Sequence, residues 1–438
     1  MIQKAQQAPS TPKISVGRIS WWLLVAVSVA LLVFLLASEI IRFSSPIQLQ
    51  RLRQVQDIPL PNALSGYSKS QNPLASGQAE RFDHFDFQSY DAATHLLFIV
   101  HTGPNPDKEA AILHNPNFNP ETDGNIIVFD TQLNKVVGLV PVPRAAGIIV
   151  AHDLGKVFVG DADDGRIYVF NEQSPFQILS KIQLDSHDGP DAIEYDSVDH
   201  LIFVADPGTP IDPANSAIVA LKNQNVAVIN ARTDTLITRI PLGLDMRFGQ
   251  NPRFGEDVGH IQFDPVSHRV FVVTLPLVDP DNPKAVQTPP SFVAVIDPTT
   301  LKVISDIRLP DQCLTPHGMV IDAAQREAFI ACVTSQNLVR VDLQTMKPFS
   351  EPLLPLAFNP DIVRLDQSAH LLVVGCASGI SLFDESGGQL KKLNNYFLGG
   401  GSNHTIAINE AQQILYLPLP TVGDRPVLRI IQYDPNGV

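Results

Sequence analysis

The sequence predicts an all-β fold, a seven-bladed β-propeller, preceded by one transmembrane helix. Three observations support this prediction. The first is one long uncharged apolar run near the N-terminus. The second is a strand pattern that recurs seven times in phase. The third is that the last copy lacks its final strand, and that an N-terminal segment has the sequence pattern of this missing strand.

Composition excludes two broad classes of protein. The 438 residues include 31 Lys and Arg against 45 Asp and Glu, a formal net charge of −14. A nucleic-acid-binding surface needs excess positive charge to displace counterions, so we expect no nucleic-acid partner. A hydrophobic content of 44% excludes a chain that is mostly disordered.

The N-terminus divides into a tail at 1–18, an apolar segment at 19–38 and a linker at 39–54. The apolar segment carries no charge and is long enough to cross the hydrocarbon layer of a membrane as a helix. Lys4, Lys13 and Arg18 precede it and favour a cytoplasmic tail. We therefore expect a single-pass protein of the cell membrane with an extracytoplasmic C-terminal domain. The alternative is a cleaved signal peptide and a secreted protein.

Residues 55–438 form the predicted propeller, because one strand pattern repeats along them. Short apolar runs alternate with Pro, Gly, Asp and Asn, which is typical of β-structure. One apolar residue closes the first strand of each copy, and we call it the marker residue. The markers are Tyr90, Val150, Tyr195, Phe263, Ile321, Leu365 and Ile408. Three of the spacings between successive markers, at 43–45 residues, equal the length of a four-stranded propeller blade.

The other strands recur in step with the markers. The second strands are predicted at 96–100, 156–160, 201–205, 269–273, 327–331, 370–374 and 414–418. Each third strand ends at an Asp or Asn, whose side chain can hydrogen-bond to the backbone of the turn that follows. These residues are Asp130, Asn171, Asn230, Asp297, Asp342, Asp384 and Asp434.

The count of fourth strands predicts how the ring closes. Six fourth strands follow the start of the first blade, and the last copy ends at Asp434 without one. The missing copy, VQDIPLP, lies at 55–61. We therefore expect this strand to complete the last blade, which removes an open sheet edge.

Two half-repeats resemble a known family. The segments 225–243 and 292–310, with 316–342 as the other half, are similar to the YVTN-repeat, YncE-like β-propellers. The tetrapeptide is absent, and FVVT at 271–274 is nearest to it. The resemblance implies a seven-bladed fold and often an extracytoplasmic location, and it does not imply one chemistry.

The strand directions place the longest insertions on one face of the propeller. Loops after second and fourth strands share the face at which each first strand begins, which we call the long-loop face. The insertions are 62–81, 101–124, 207–225, 244–259 and 275–291. Functional residues concentrate on long loops held by a rigid scaffold, so we expect a protein or small-molecule ligand to bind there.

Polar residues recur four positions before the marker residues, where first strands enter the central channel. Blades 5, 6 and 7 place His317, Asp361 and His404 there; Asp191 lies across from them, and His260 is one position further along its strand. Imidazole and carboxylate ligands suit Zn, Cu or Fe, so His317, Asp361 and His404 are the candidate ligands of a divalent metal. The alternative is that these residues only cap turns and face channel water.

Arginines and cysteines are weaker candidates for functional residues. Arg144 and Arg253 lie in loops of the long-loop face and could bind a carboxylate or phosphate. Cys313, Cys332 and Cys376 show neither a haem nor a zinc spacing. Packing in the core is one interpretation, and a disulfide between two of them, which export permits, is the other.

Together these features predict a binding or scaffold module that uses its long-loop face. The alternative is a propeller enzyme, a lactonase-type hydrolase or a metal-dependent lyase, with its site at the channel mouth. No glutamate occupies the rim positions, and no nucleophile elbow, P-loop or dinucleotide motif occurs. A redox partner like the quinoprotein dehydrogenase subunits is disfavoured, because the chain has no haem signature.

Overall fold

The chain divides into two units, Met1–Gln50 and Arg51–Val438, and every residue described below lies in the second. The computed structural model describes residues 52–61, 84–102, 124–162, 165–184, 190–207, 209–210, 221–222, 224–242, 256–276, 291–401, 405–423 and 425–434. The predicted transmembrane segment 19–38 lies outside these residues. Within them, no helix is both long and apolar enough to cross a membrane.

The described strands form seven blades, which we number in chain order, and one separate two-stranded sheet. The first strand of the chain, β1 (Leu52–Pro59), belongs to the last blade. Blade 1 consists of β2 (Phe85–Asp91), β3 (Leu96–His101), β4 (Asn125–Asp130) and β5 (Lys135–Pro141). Blade 2 consists of β6 (Ala145–Ala151), β7 (Lys156–Asp161), β8 (Arg166–Asn171) and β9 (Ile178–Gln183), with a 3₁₀ turn at His152–Leu154.

Blades 3 and 4 continue the pattern. Blade 3 consists of β10 (Ile193–Asp196), β11 (Leu201–Asp206), β14 (Asn225–Asn230) and β15 (Thr235–Pro241), with a small hairpin of β12 (Thr209–Pro210) and β13 (Leu221–Lys222) after its second strand. Blade 4 consists of β16 (Glu256–Asp264), β17 (Arg269–Pro276), β18 (Phe292–Asp297) and β19 (Lys302–Arg308).

Blades 5 to 7 complete the ring. Blade 5 consists of β20 (Pro316–Asp322), β21 (Glu327–Cys332), β22 (Asn337–Asp342) and two short pieces, β23 (Lys347–Pro348) and β24 (Leu354–Pro355). Blade 6 consists of β25 (Pro360–Asp366), β26 (Leu371–Cys376), β27 (Gly379–Asp384) and β28 (Lys391–Tyr396). Blade 7 consists of β29 (Ala407–Asn409), β30 (Ile414–Val422), β31 (Arg425–Tyr433) and β1.

The predicted closure of the ring is confirmed. β1 pairs antiparallel with β31, with Leu52 opposite Tyr433 and Pro59 opposite Val427. The Arg429 guanidinium donates two hydrogen bonds to the Asp57 carboxylate, at 2.8 and 2.7 Å. The strand begins at Leu52, so the predicted linker at 39–54 overlaps its first three residues.

Blade 5 departs from the predicted four continuous strands. Its fourth strand is broken into β23 and β24, both paired with β22. Pro348, Pro352 and Pro355 fall in this stretch, and each lacks the backbone N–H that a continuous ladder needs. The strand lies at the outer edge of the blade, where such interruptions are tolerated.

The core lies between neighbouring blades, where the middle strands face one another. The third residue of the second strand is a fully buried phenylalanine in five blades: Phe98, Phe158, Phe203, Phe271 and Phe329. The third strands end in the predicted turns, in which Asp130, Asn230, Asp297, Asp342 and Asp384 accept backbone N–H groups. The turn chemistry and the packed phenylalanines together explain why the sequence repeats as it does.

Candidate functional site

A β-bulge recurs at the start of the first strands, where they enter the central channel. Pairing skips between Pro316 and Met319 in blade 5 and between Pro360 and Val363 in blade 6, with similar shifts in blades 1, 2 and 4. A bulge leaves residues unpaired and redirects side chains. The unpaired residues in blade 5 are His317 and Gly318, so the bulge presents His317 to the channel mouth.

Glycine allows the bulged strands of neighbouring blades to approach closely. A Cβ at Gly318 would lie 1.7 Å from the Asp361 carbonyl oxygen, and one at Gly147 would lie 1.6 Å from the Asp191 carbonyl oxygen. No side chain fits in either place. Both glycines therefore fix the position of the carboxylate residue in the next blade.

Four of the predicted site residues lie together at the channel mouth, and they come from four successive blades, 3 to 6. His317 Nδ1 lies 2.9 Å from Asp361 Oδ1, a hydrogen-bond distance. His317 Nε2 lies 3.8 Å from Asp191 Oδ2. His260 Nε2 lies 3.5 Å from Asp361 Oδ1, and the two imidazole rings are 5.0 Å apart. We call these four residues the mouth cluster.

The segment that precedes His317 is held at several points. Cys313 forms a disulfide with Cys332, with a Cα–Cα distance of 5.3 Å. The hydroxyl of Ser335 accepts the Leu314 N–H at 3.0 Å. Thr315 has a left-handed backbone (φ 56°), and its carbonyl accepts the Val333 N–H at 2.8 Å. These contacts fix the chain immediately before the histidine.

His260 is the buried member of the mouth cluster. Its side chain is 2% exposed and packs against Phe87, with ring centroids 5.0 Å apart. Burial lowers the pKa of His260 to about 4, so the ring is neutral at pH 7. Its Nδ1 accepts the Met319 N–H at 3.4 Å, and the proton of the neutral ring therefore sits on Nε2, facing Asp361.

This tautomer bears on the predicted metal site. The ligand atoms of His260, His317 and Asp361 lie within 4.8 Å of one another, close enough to surround one ion. A histidine that binds a metal through Nε2 normally donates its Nδ1–H to an acceptor. Here Nδ1 meets a backbone donor instead. The arrangement thus fits a hydrogen-bonded network better than a three-ligand metal centre.

The remaining predicted residues have different outcomes. His404 and Arg253 lie outside the described residues, as do most residues of the five insertions. Arg144 lies at the entrance to β6 in blade 2, half-buried and with a left-handed backbone (φ 44°). It belongs to a different blade from all four residues of the mouth cluster. The prediction of a ligand contact at Arg144 stays a prediction.

A cavity of about 280 Å³ lies inside the ring of first strands. His260 lines it and also contacts Asp361, so this residue connects the cavity with the mouth cluster. Five further side chains that are charged or carry an amide line the cavity: Gln88, Glu194, Gln262, Arg364 and Glu410. Most of the other lining residues are apolar, including Phe87, Ile148, Ile193, Ile261, Val320 and Leu365.

Sequence reasoning missed these polar residues, although a signal for them exists. The position immediately before each marker residue lines the cavity in all seven blades: Ser89, Ile149, Glu194, Gln262, Val320, Arg364 and Ala407. A charged residue at this position, such as Glu194 or Arg364, stands out against the apolar ones. Examining every position of the repeat for charge would have identified both.

Two other clusters of carboxylates and histidines lie where first strands turn into second strands. Asp91, His152 and Glu172 form one, and Asp196, Asp199 and His268 form the other. Each joins the first turn of one blade to the next blade. Asp264 does the same with Arg326, and the Tyr433 hydroxyl donates to Asp366. The two clusters therefore belong to a repeated contact between blades.

Both interpretations of the cysteines, a disulfide and packing in the core, apply to some of the three. Cys313 and Cys332 form the disulfide that the second interpretation allows, whereas Cys376 is a buried free thiol. Cys332 and Cys376 close the second strands of neighbouring blades, as their positions in the repeat indicate. Burial raises the pKa of the Cys376 thiol to about 11, so it is an unreactive packing residue.

Comparisons with known proteins support the fold. No protein family and no curated protein matches this sequence. Among solved structures, a chain of hydrazine synthase from Kuenenia stuttgartiensis is similar, with a TM-score of 0.57. The alignment covers 83% of this chain and 99% of that chain, at 12% sequence identity. At this identity the similarity shows the propeller fold alone.

Proposed function

We propose that this protein is a membrane-tethered, extracytoplasmic β-propeller that binds a ligand at the long-loop end of its central channel. The observation that carries the proposal is the mouth cluster. Four successive blades each contribute one residue to it, so a ligand there would contact the rigid part of the scaffold. Its two imidazoles and two carboxylates offer both hydrogen-bond donors and acceptors.

Two observations support the proposed membrane anchor and the extracytoplasmic location of the propeller. The uncharged segment 19–38 has the length of a membrane span, and basic residues precede it. The disulfide between Cys313 and Cys332 is typical of proteins that fold in an oxidising compartment. Secretion after cleavage of a signal peptide is the alternative that the same observations allow.

Membership of the YVTN-repeat, YncE-like propellers is part of the proposal. The half-repeats at 225–243, 292–310 and 316–342 support it, and the strands they contain pair as blades of one ring. Propellers with this repeat serve many functions, so the residues at the channel must identify the ligand.

An enzyme is the second candidate, and one contact favours it. Asp361 accepts a hydrogen bond from His317 Nδ1 and thereby fixes the orientation of the imidazole. This leaves Nε2, 3.8 Å from the nearest Asp191 oxygen, as the group that could take a proton from a substrate. A lactonase-type hydrolase or a lyase needs such a base.

Ligand binding is tested on the full-length protein in detergent. Thermal unfolding is measured with a panel of organic acids, sugars, amino acids and divalent cations, followed by calorimetry on each compound that raises Tm. We expect binding that His317→Ala weakens and His152→Ala does not, since His152 lies in a turn at the opposite face. Equal binding by both variants would contradict the mouth cluster as the site.

Two further measurements separate the alternatives. Turnover of simple lactones that is lost in Asp361→Asn would favour the enzyme, and stoichiometric metal lost in His317→Ala would favour a metal centre. For the membrane topology, alkaline phosphatase fused after Val438 is active only if the C-terminus is exported. The intact mass of the mature protein then distinguishes an anchor from a cleaved signal peptide.

A further inference from the structure

The cavity beneath the mouth cluster contains a guanidinium with an unusual set of contacts. Arg364 donates from Nη1 to the Val363 carbonyl at 3.1 Å and from Nη2 to the Gln88 carbonyl at 3.5 Å. Among the residues that the structure describes, no carboxylate lies within ion-pair distance of it. Two more distant carboxyl groups of the described residues, Glu194 and Asp361, offset part of its charge.

Two carboxyl groups share this cavity, Glu194 and the exposed Glu410, and Glu194 already has other hydrogen-bond partners. Glu194 Oε1 accepts the Tyr195 N–H at 3.0 Å, and Oε2 accepts a hydrogen bond from Gln262 Nε2 at 2.9 Å. Burial raises the pKa of Glu194 to about 7, so near neutral pH it compensates only part of the arginine charge. Arg364 is the one Lys or Arg among the described residues that line the cavity, and neither of the two carboxyl groups lies within ion-pair distance of its guanidinium.

One buried acceptor in the cavity also lacks a partner. Gln88 is 3% exposed, and its Nε2 faces the Thr405 hydroxyl at 3.3 Å and the Tyr416 carbonyl at 3.4 Å. Since a carbonyl can only accept, this contact assigns Nε2 and leaves Oε1, which has no hydrogen-bond partner among the described residues. A ligand hydroxyl could satisfy it.

The size and lining of the cavity limit what binds. A volume of about 280 Å³ corresponds to about nine water molecules. Phe87, Ile148, Ile261 and Val320 make much of the wall apolar. A dianion such as phosphate would lose its hydration for a single arginine, with Glu194 nearby, whereas a monocarboxylate has one charge and an apolar body.

We propose that the cavity binds a small organic monocarboxylate, with its carboxylate on Arg364 and a hydroxyl on Gln88. The planar guanidinium presents two N–H groups side by side, the geometry that a carboxylate matches. This inference rests on the proposed function, because the ligand would enter through the same channel. It names the chemical class of that ligand and a second group of residues that holds it.

The test uses the full-length protein in detergent with three probes: benzoate, 3-hydroxybenzoate and the neutral analogue benzamide. Calorimetry measures Kd for the wild-type protein and for Arg364→Gln, which lies in blade 6, with Arg269→Gln at the start of β17 in blade 4 as a control away from the cavity. We expect Arg364→Gln to weaken benzoate binding about tenfold to a hundredfold and to leave benzamide binding unchanged. Arg269→Gln should bind like the wild type, and 3-hydroxybenzoate should bind more tightly than benzoate.

A second variant keeps the test decisive if Arg364→Gln does not fold. Ile149→Trp places a large side chain into the cavity without removing any charge, and it should weaken both benzoate and benzamide binding. Thermal unfolding shows whether each variant is folded. Benzoate that fails to bind the wild-type protein at millimolar concentration, or that binds Arg364→Gln equally well, would overturn the inference.

The same measurements distinguish this inference from the proposed function. Binding that His317→Ala weakens and Arg364→Gln does not would place the ligand at the mouth cluster, so that the proposed function stands and the inference fails. Binding that only Arg364→Gln weakens would support the cavity and contradict the mouth cluster. Phosphate that competes with benzoate would contradict the selectivity for a monocarboxylate.

Discussion

Reduction of the Cys313–Cys332 disulfide should lower the stability of the propeller by a predictable amount. The two cysteines are 19 residues apart in sequence, so the bond closes a loop of about 20 residues. The chain-entropy model assigns about 3 kcal/mol to a loop of this length. A unit of this size has an unfolding entropy of about 0.8 kcal/mol per kelvin, so Tm should fall by about 4 °C.

The assay compares thermal unfolding of the oxidised and the reduced protein by circular dichroism. The double variant Cys313→Ala/Cys332→Ala should unfold like the reduced wild type. Cys376→Ala, which removes only the free thiol, should keep the full difference between oxidised and reduced forms. Thiol titration of the denatured, unreduced protein should find one thiol per chain.

Either of two results would refute this reasoning. Three free thiols in the unreduced protein would show that the disulfide does not form. A Tm that is the same before and after reduction would show that the bond does not constrain the unfolded chain. In the second case, the contacts of Leu314 and Thr315 with the neighbouring loop would alone hold the segment before His317.

Three other predictions concern closure, pH and backbone packing. Asp57→Ala removes the acceptor of two Arg429 hydrogen bonds and should cost about 1–3 kcal/mol in urea unfolding, whereas Asp311→Ala, in an exposed pair, should cost less than about 0.5 kcal/mol. Burial raises the pKa of Glu194 in the folded state to about 7, so the folded chain keeps a proton that the unfolded chain releases near 4.5. The free energy of unfolding should therefore fall as the pH rises between these two values. The fall should be less steep in Glu194→Gln. Gly318→Ala should destabilise the fold by about 1–3 kcal/mol, because its Cβ would overlap a neighbouring carbonyl; wild-type stability would disprove the close approach.

Much of the fold could be predicted because a propeller repeats its physical requirements. Each blade needs a turn-forming Asp or Asn after its third strand, and a buried aromatic in its second strand recurs in most blades. These signals are local, so they survive in the sequence with regular spacing. The closing strand was predictable for a related reason, since six fourth strands cannot complete seven blades.

The broken strand of blade 5 shows where such reasoning stops. The apolar residues at 352–357 fit the pattern of a fourth strand, but the prolines among them cannot donate to a ladder. The sequence pattern reflects which side chains are buried and how they alternate. It says less about which residues have a backbone N–H that can donate to the neighbouring strand. Proline positions have to be considered separately.

The candidate site was predictable in part, and the bulge explains the limit. On a regular strand, side chains alternate, so residues three apart, such as Asp361 and Arg364, would point to opposite faces. The bulge between Pro360 and Val363 removes this alternation, so that Asp361 reaches the mouth while Arg364 lines the cavity. Periodicity alone cannot place both residues on the channel.

The pairing of β1 with β31 has a consequence for synthesis. The hydrogen bonds between Asp57 and Arg429 join residues 372 positions apart. During synthesis, β1 therefore cannot pair until β31 has left the ribosome. At about 5–20 residues per second, this wait is roughly 20–75 s. During that time the β1 segment has no partner strand, and a chain shortened before β31 would never provide one. The cell must therefore keep an early, unpaired segment from aggregating until translation is complete.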